Sequence, residues 1–171
     1  MLIVIFNLIS LWLATKGKRI SWCFSILGSI LAACMFLNSK MLFSFLFNVF
    51  ITINSIIALF TWKRTKEFKD TADIFFYLIL YILIGLGLLT FQICISEINA
   101  FDIIGPTAAI VATILLVKKE MLAWWYWVLS DITYIICGLW TLNYEFILIY
   151  SVMLGVTIYG LRRNYKRLNA F

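Results

Sequence analysis

Residues 122–142 read LAWWYWVLSDITYIICGLWTL, a run of 21 residues that holds a single formal charge, Asp131. At about 1.5 Å of rise per residue such a run reaches about 30 Å, the thickness of a bilayer's hydrocarbon core. Further apolar blocks flank it on both sides. They predict spans at Leu2 to Thr15, Ile20 to Leu37, Leu42 to Trp62, Ile74 to Ile95, Phe101 to Val117, Leu122 to Leu142 and Tyr144 to Arg162. None alternates in polarity as a barrel strand would. With 64% hydrophobic and only 13% charged residues, the chain departs from soluble composition as a whole. The expected class is an all-α integral membrane protein with seven transmembrane helices.

Charge orders these spans across the bilayer. Only Met1 precedes the first apolar block, whereas Lys16, Lys18 and Arg19 follow it, which reads as a membrane span rather than a signal peptide. An outside N-terminus makes residues 16–19, 63–73, 118–121 and the tail from Arg162 cytoplasmic. These pieces hold thirteen of the fourteen Lys and Arg residues, with Lys40 the exception, as the positive-inside rule requires. The net charge of +6 is thus a mark of topology, and not a nucleic-acid patch. The tail residues Arg162, Arg163, Lys166 and Arg167 suit anionic membrane lipid.

Several function classes drop out. Histidine is absent, and no hydrolase, zinc or phosphate-loop motif occurs. Cys23, Cys34, Cys94 and Cys137 lack metal-ligand spacing and read as small buried apolar side chains. No enzyme, metal or cofactor is expected.

Two segments, Ile9 to Lys63 and Ala112 to Arg163, share one order of features: helix, basic turn, Trp-led helix, short outer loop, helix, basic end. A shift of about 102 residues places Leu13 on Leu115, Lys16 on Lys118 and Trp22 on Trp124. One extra helix lies between the copies, so the second begins four spans after the first and keeps its orientation. The expectation is a 3+1+3 arrangement with two parallel triple-helix repeats. It assigns residues 1–62 to the first repeat, 63–99 to a linker with its helix, and 100–171 to the second repeat and basic tail. Substrate sites in such proteins lie near the midplane between repeats.

Polar residues inside spans narrow the site. A carboxylate mid-span costs about 2.5 to 3.5 kcal/mol on insertion scales, so Asp131 demands a partner or a cavity. At about 100° per residue, Trp124, Trp127, Asp131, Tyr134 and Gly138 share a stripe about 80° wide. Asn48, Thr52 and Ser55 share a face of the third span, with Asn54 pointing elsewhere. Tyr150, Leu154 and Thr157 share a face of the seventh. Hydroxyls and amides of this kind also glue membrane helices together. Gln92 lies near the outer end of the fourth span. Pro106, after Gly105, falls in the first turn of the fifth.

The stretch LLVKKEMLAWWYWVLSDITYI, with WxxWxxxD at Trp124, Trp127 and Asp131, resembles the PnuC-like vitamin transporters, in which WxxWxxx precedes Asn or Asp. The stretch LIYSVMLGVTIYGLRR, with Tyr150 ten residues before Gly160, is similar to that family too. So is LWLATKGKRISWCFSILGSILAACMFLNSKMLFSFLFNVF, with its WLA, basic turn and Trp-led helix.

The resemblance implies a permease of the bacterial inner membrane, SWEET-like in arrangement, homotrimeric, and carrying nicotinamide riboside by facilitated diffusion. In the family a cytoplasmic kinase makes uptake one-way. Thr113 stands where many relatives carry Gln before the Leu-Leu of the fifth helix. Thiamine and riboflavin remain alternative substrates, and a non-transporting assembly subunit is the reading from a different class. Candidate substrate-binding residues are Asn48, Thr113, Trp124, Trp127, Asp131, Tyr134 and Tyr150. Indole faces suit a pyridinium ring through cation–π contact, and Asp131 suits its charge or ribose hydroxyls.

Overall fold

The computed structural model describes residues 2–38, 42–62, 73–94, 101–140, 142 and 144–169. Among them are seven helices: α1 Leu2–Thr15, α2 Ser21–Asn38, α3 Leu42–Thr61, α4 Ile74–Cys94, α5 Phe101–Val117, α6 Leu122–Trp140 and α7 Tyr144–Leu168. The apolar blocks mark α1 to α6 within two residues at each end. Helix α7 runs six residues past the expected Arg162, because hydropathy marks hydrocarbon and not hydrogen bonding. Its added turns are held from inside. Asn164 is buried and its Nδ2 donates to the Gly160 and Thr15 carbonyls, at 2.8 and 3.4 Å. Leu161 and Leu168 pack on the core. Pro106 lies inside α5, at its sixth residue rather than in the first turn, where its ring removes the bond that the Asp102 carbonyl would accept. Lys40, Lys66, Asn143 and the Gln92 and Cys94 side chains lie outside the described residues.

The turns after α1 and α5 are built alike. Gly17 takes a φ of +66°, its N–H bonds the Ala14 carbonyl at 2.8 Å, and the Lys18 N–H bonds Leu13 at 3.1 Å. Lys119 takes a φ of +58°, its N–H bonds Leu116 at 3.0 Å, and the Glu120 N–H bonds Leu115 at 3.0 Å. Both are Schellman endings, which favour glycine at the left-handed position. Lysine there costs about 1 to 2 kcal/mol of backbone strain. Lys119 is nevertheless buried, with Nζ 4.7 Å from the Trp62 ring centroid.

Helix α2 packs on α1 and α3, and α6 packs on α5 and α7. Across these groups α1 meets α7 and α3 meets α5, which closes α1, α2, α3, α5, α6 and α7 into a ring; α4 packs on α5. The solvent pattern of a soluble protein is inverted. Trp140, Phe60, Phe75 and Leu148 are largely exposed, while Ser55, Ser130, Asp131 and Thr157 are almost fully buried. Cys34 is exposed too, against the expectation that all four cysteines are buried.

The apolar core gathers at the end where the basic turns lie. Trp22 and Trp62 meet edge to face at 5.1 Å, and the Trp62 Nε1 donates to the Gly17 carbonyl at 3.3 Å. The Arg19 guanidinium donates to the Leu59 carbonyl beside them. Leu115, Val111, Ala123 and Trp124 complete the cluster with no exposed surface.

Candidate functional site

A cavity of about 160 Å³ lies inside the six-helix ring, lined among the described residues by every helix of the ring and by none of α4. Helix α6 supplies Trp127, Ser130, Asp131 and Tyr134. Asp131 is about 99% buried, and its Oδ2 accepts from Thr157 Oγ1 of α7 at 2.9 Å. A hydrogen bond at that depth offsets part of the cost of removing the carboxylate from water. The Ser130 Oγ donates to the Gly105 carbonyl at 3.1 Å, tying α6 to α5. Gly105 gives the Tyr134 ring its place, since a Cβ there would meet the ring at 3.2 Å. Tyr134 in turn stacks on Tyr150 of α7, with centroids 4.5 Å apart and planes inclined by 21°. Trp127 presents an indole whose buried Nε1 has no hydrogen-bond partner among the described residues.

The facing wall comes from α1, α2 and α3. Asn7 and Ser10 of α1, Ser21, Trp22, Ser25 and Ser29 of α2, and Asn48 of α3 reach the cavity. Ser29 exchanges a 2.7 Å hydrogen bond with Thr52, and Ser25 one of 2.7 Å with Ser55. Thr52 and Ser55 therefore act as interhelical glue, whereas Asn48 on the same face lines the cavity. Asn54 bonds its own helix at the Phe50 carbonyl. Thr113 lines the cavity from α5 and donates to the Ala109 carbonyl at 2.7 Å.

The structure thus brings together Asn48, Thr113, Trp127, Asp131, Tyr134 and Tyr150. Trp124, expected with them, does not line the cavity. It is fully buried toward the basic end, with its ring and the Thr15 side chain both against Gly160. Its place on the stripe is right in angle and one turn too shallow. Sequence reasoning missed Asn7, Ser10, Ser21, Trp22, Ser25 and Ser29, because serines in membrane helices look like glue and none carries charge. Their signal was the repeat: at the shift of 102, Ser25 and Ser29 fall on Trp127 and Asp131.

Among the described residues that line the cavity Asp131 is the one charged side chain, and no Lys or Arg joins it. Among the described residues no three His, Cys, Asp or Glu side chains gather as metal ligands would. The chemistry open to this cavity is recognition of a flat, polar, neutral or cationic molecule.

The family model for nicotinamide mononucleotide transporters matches residues 1–166. The chain belongs to this transporter family. Membership makes it a multi-pass membrane transporter and not an enzyme. As a nicotinamide mononucleotide transporter family member it also has a solved relative in fold. The crystal structure of the vitamin B3 transporter PnuC superposes with a TM-score of 0.78 over 96% of this chain and 79% of that one, at 16% identity. Among curated proteins none matches.

Proposed function

We propose that this family member is a permease for nicotinamide riboside, working by alternating-access facilitated diffusion. One observation carries the reading: Trp127, Asp131 and the Tyr134–Tyr150 stack face one buried cavity that holds a carboxylate and, among the described lining residues, no cation. A pyridinium ring gains from the indole and phenol faces and from the negative charge. A mononucleotide would add a phosphate to a cavity whose described lining residues include no Lys or Arg to receive it, which favours the nucleoside over the nucleotide. Thiamine shares the cationic ring, and riboflavin is flat but neutral. Uptake into proteoliposomes of nicotinamide riboside, nicotinamide mononucleotide, thiamine and riboflavin tests this. Nicotinamide riboside is expected to enter fastest, and preferential uptake of the mononucleotide would overturn the reading.

The same proposal includes a 3+1+3 architecture of two parallel repeats with a SWEET-like rocking motion. Support comes from the turns, where the bonds of Gly17 and Lys18 recur at Lys119 and Glu120. The bonds of Ser21 to Lys18 and Trp22 to Arg19 likewise recur as Ala123 to Glu120 and Trp124 to Met121. It also comes from the cavity, where Asn7, Leu11, Ser29 and Asn48 pair with Ala109, Thr113, Asp131 and Tyr150 at one shift. The N-terminus is assigned outside and the C-terminus to the cytoplasm of a bacterial inner membrane. The assembly is assigned as a homotrimer with one pathway per subunit. Detergent-corrected mass tests this last point, and a monomer transporting at full rate would overturn it.

A further inference from the structure

Two buried donors in the cavity wall are left unused by the aromatic and acidic stripe. Ser21 is about 99% buried and Trp22 about 97%, both line the cavity, and neither Ser21 Oγ nor Trp22 Nε1 has a hydrogen-bond partner among the described residues. Buried donors without partners are rare in folded proteins, and those in a ligand cavity are explained when a ligand supplies the acceptor. Toward Trp127 the wall continues as hydroxyls, Ser10 on α1 and Ser25 on α2, with the Asn7 carboxamide farther along, beside Gly28. Such groups both donate and accept, and so match a sugar hydroxyl, which does the same.

Register sets where this wall lies. At the shift of 102, Ser21 and Trp22 stand level with Ala123 and Trp124, four and three residues before Trp127. At helical rise that is about 5 to 6 Å toward the basic end.

We infer that the α1–α2 wall at Ser21 and Trp22 is the sugar subsite, so that a bound riboside holds its ring at Trp127 and Asp131 and its ribose toward the basic end. This deepens the riboside reading and rests on it. Ser21 Oγ and Trp22 Nε1 donate to ribose oxygens, and Ser10 and Ser25 complete the polar surround. The arrangement discriminates by chemistry: a ring without the sugar keeps the stripe contacts and loses only this wall.

Binding of two ligands to the purified protein separates the possibilities. Nicotinamide riboside carries ring and sugar; 1-methylnicotinamide carries the same cationic ring and carboxamide without the sugar. Ser21→Ala and Trp22→Phe are each expected to weaken nicotinamide riboside by roughly fivefold to tenfold, the worth of one hydrogen bond, while 1-methylnicotinamide stays within about twofold. Removing one ribose hydroxyl from the ligand should cost the parent a similar factor and cost Ser21→Ala much less, which keeps the test intact if Trp22→Phe fails to fold. Equal losses for both ligands, or none for either, would overturn the subsite while leaving the riboside reading in place. A parent protein that binds neither ligand overturns that reading, and the subsite with it.

Discussion

Thr157 Oγ1 donates to Asp131 Oδ2 at 2.9 Å, and both side chains are buried between α6 and α7. Thr157→Val keeps the shape and removes the donor, leaving the carboxylate short of a partner. The expected cost is about 1 to 3 kcal/mol of stability, read as a lower melting temperature in detergent. Thr157→Ser should restore it. Asp131→Asn retains an acceptor for Thr157 and removes the charge. Affinity for a cationic riboside should fall about tenfold, close to 1.4 kcal/mol, with riboflavin binding unchanged. Equal effects on both ligands would show that the charge of Asp131 plays no part in recognition.

Three tryptophans of α6 divide into three roles. Trp127→Ala should weaken riboside affinity by about twofold to thirtyfold, from about 0.5 to 2 kcal/mol of cation–π contact. Trp124→Ala empties a fully buried site and should cost about 3 to 5 kcal/mol of stability. Trp125 is 59% exposed and should be silent in both assays. Normal expression with parental binding in Trp127→Ala would remove the ring site.

Gly160 is where α7 meets the Trp124 ring. A Cβ there would lie 2.5 Å from Trp124 Cζ3 and 2.8 Å from Thr15 Cγ2. Gly160→Ala should therefore destabilise by about 1 to 3 kcal/mol through overpacking. Gly155, one turn and a half earlier, has nothing within 4 Å of such a Cβ. Gly155→Ala should be neutral or stabilising by up to about 1 kcal/mol from helix propensity alone. Thermal unfolding of the two variants side by side decides the matter.

Single-cysteine labelling in a background without native cysteines checks the orientation. Positions 40 and 143 should label from outside, and 66 and 166 from the cytoplasm. Lys119 is a poor probe for the α5–α6 turn because it is buried over Trp62. Lys118 beside it is exposed, and a cysteine there should label from the cytoplasmic side. The opposite pattern would reverse the assigned topology.

Most of the helices were legible because apolar length is a direct record of the solvent around them. What hydropathy could not record is a helix that outlives its membrane segment, as α7 does through Asn164. Half the cavity was legible for a related reason. A carboxylate inside a span is costly enough to announce itself, and Trp127, Tyr134 and Tyr150 follow from its helix face and neighbours. The serine wall bears no such mark. Depth was the other loss: a helical wheel gives the angle of Trp124 but not that Gly160 opens a slot for it below the cavity.

The tryptophan and leucine cluster at the basic end has an electrical consequence. Trp22, Trp62, Trp124 and Leu115 pack together there, and apolar rings of this kind give a file of water few polar partners. Protons and small cations, which cross membranes along such files, meet a dielectric barrier there. A carrier sealed by such packing can hold its substrate without draining the ion gradients that the membrane maintains.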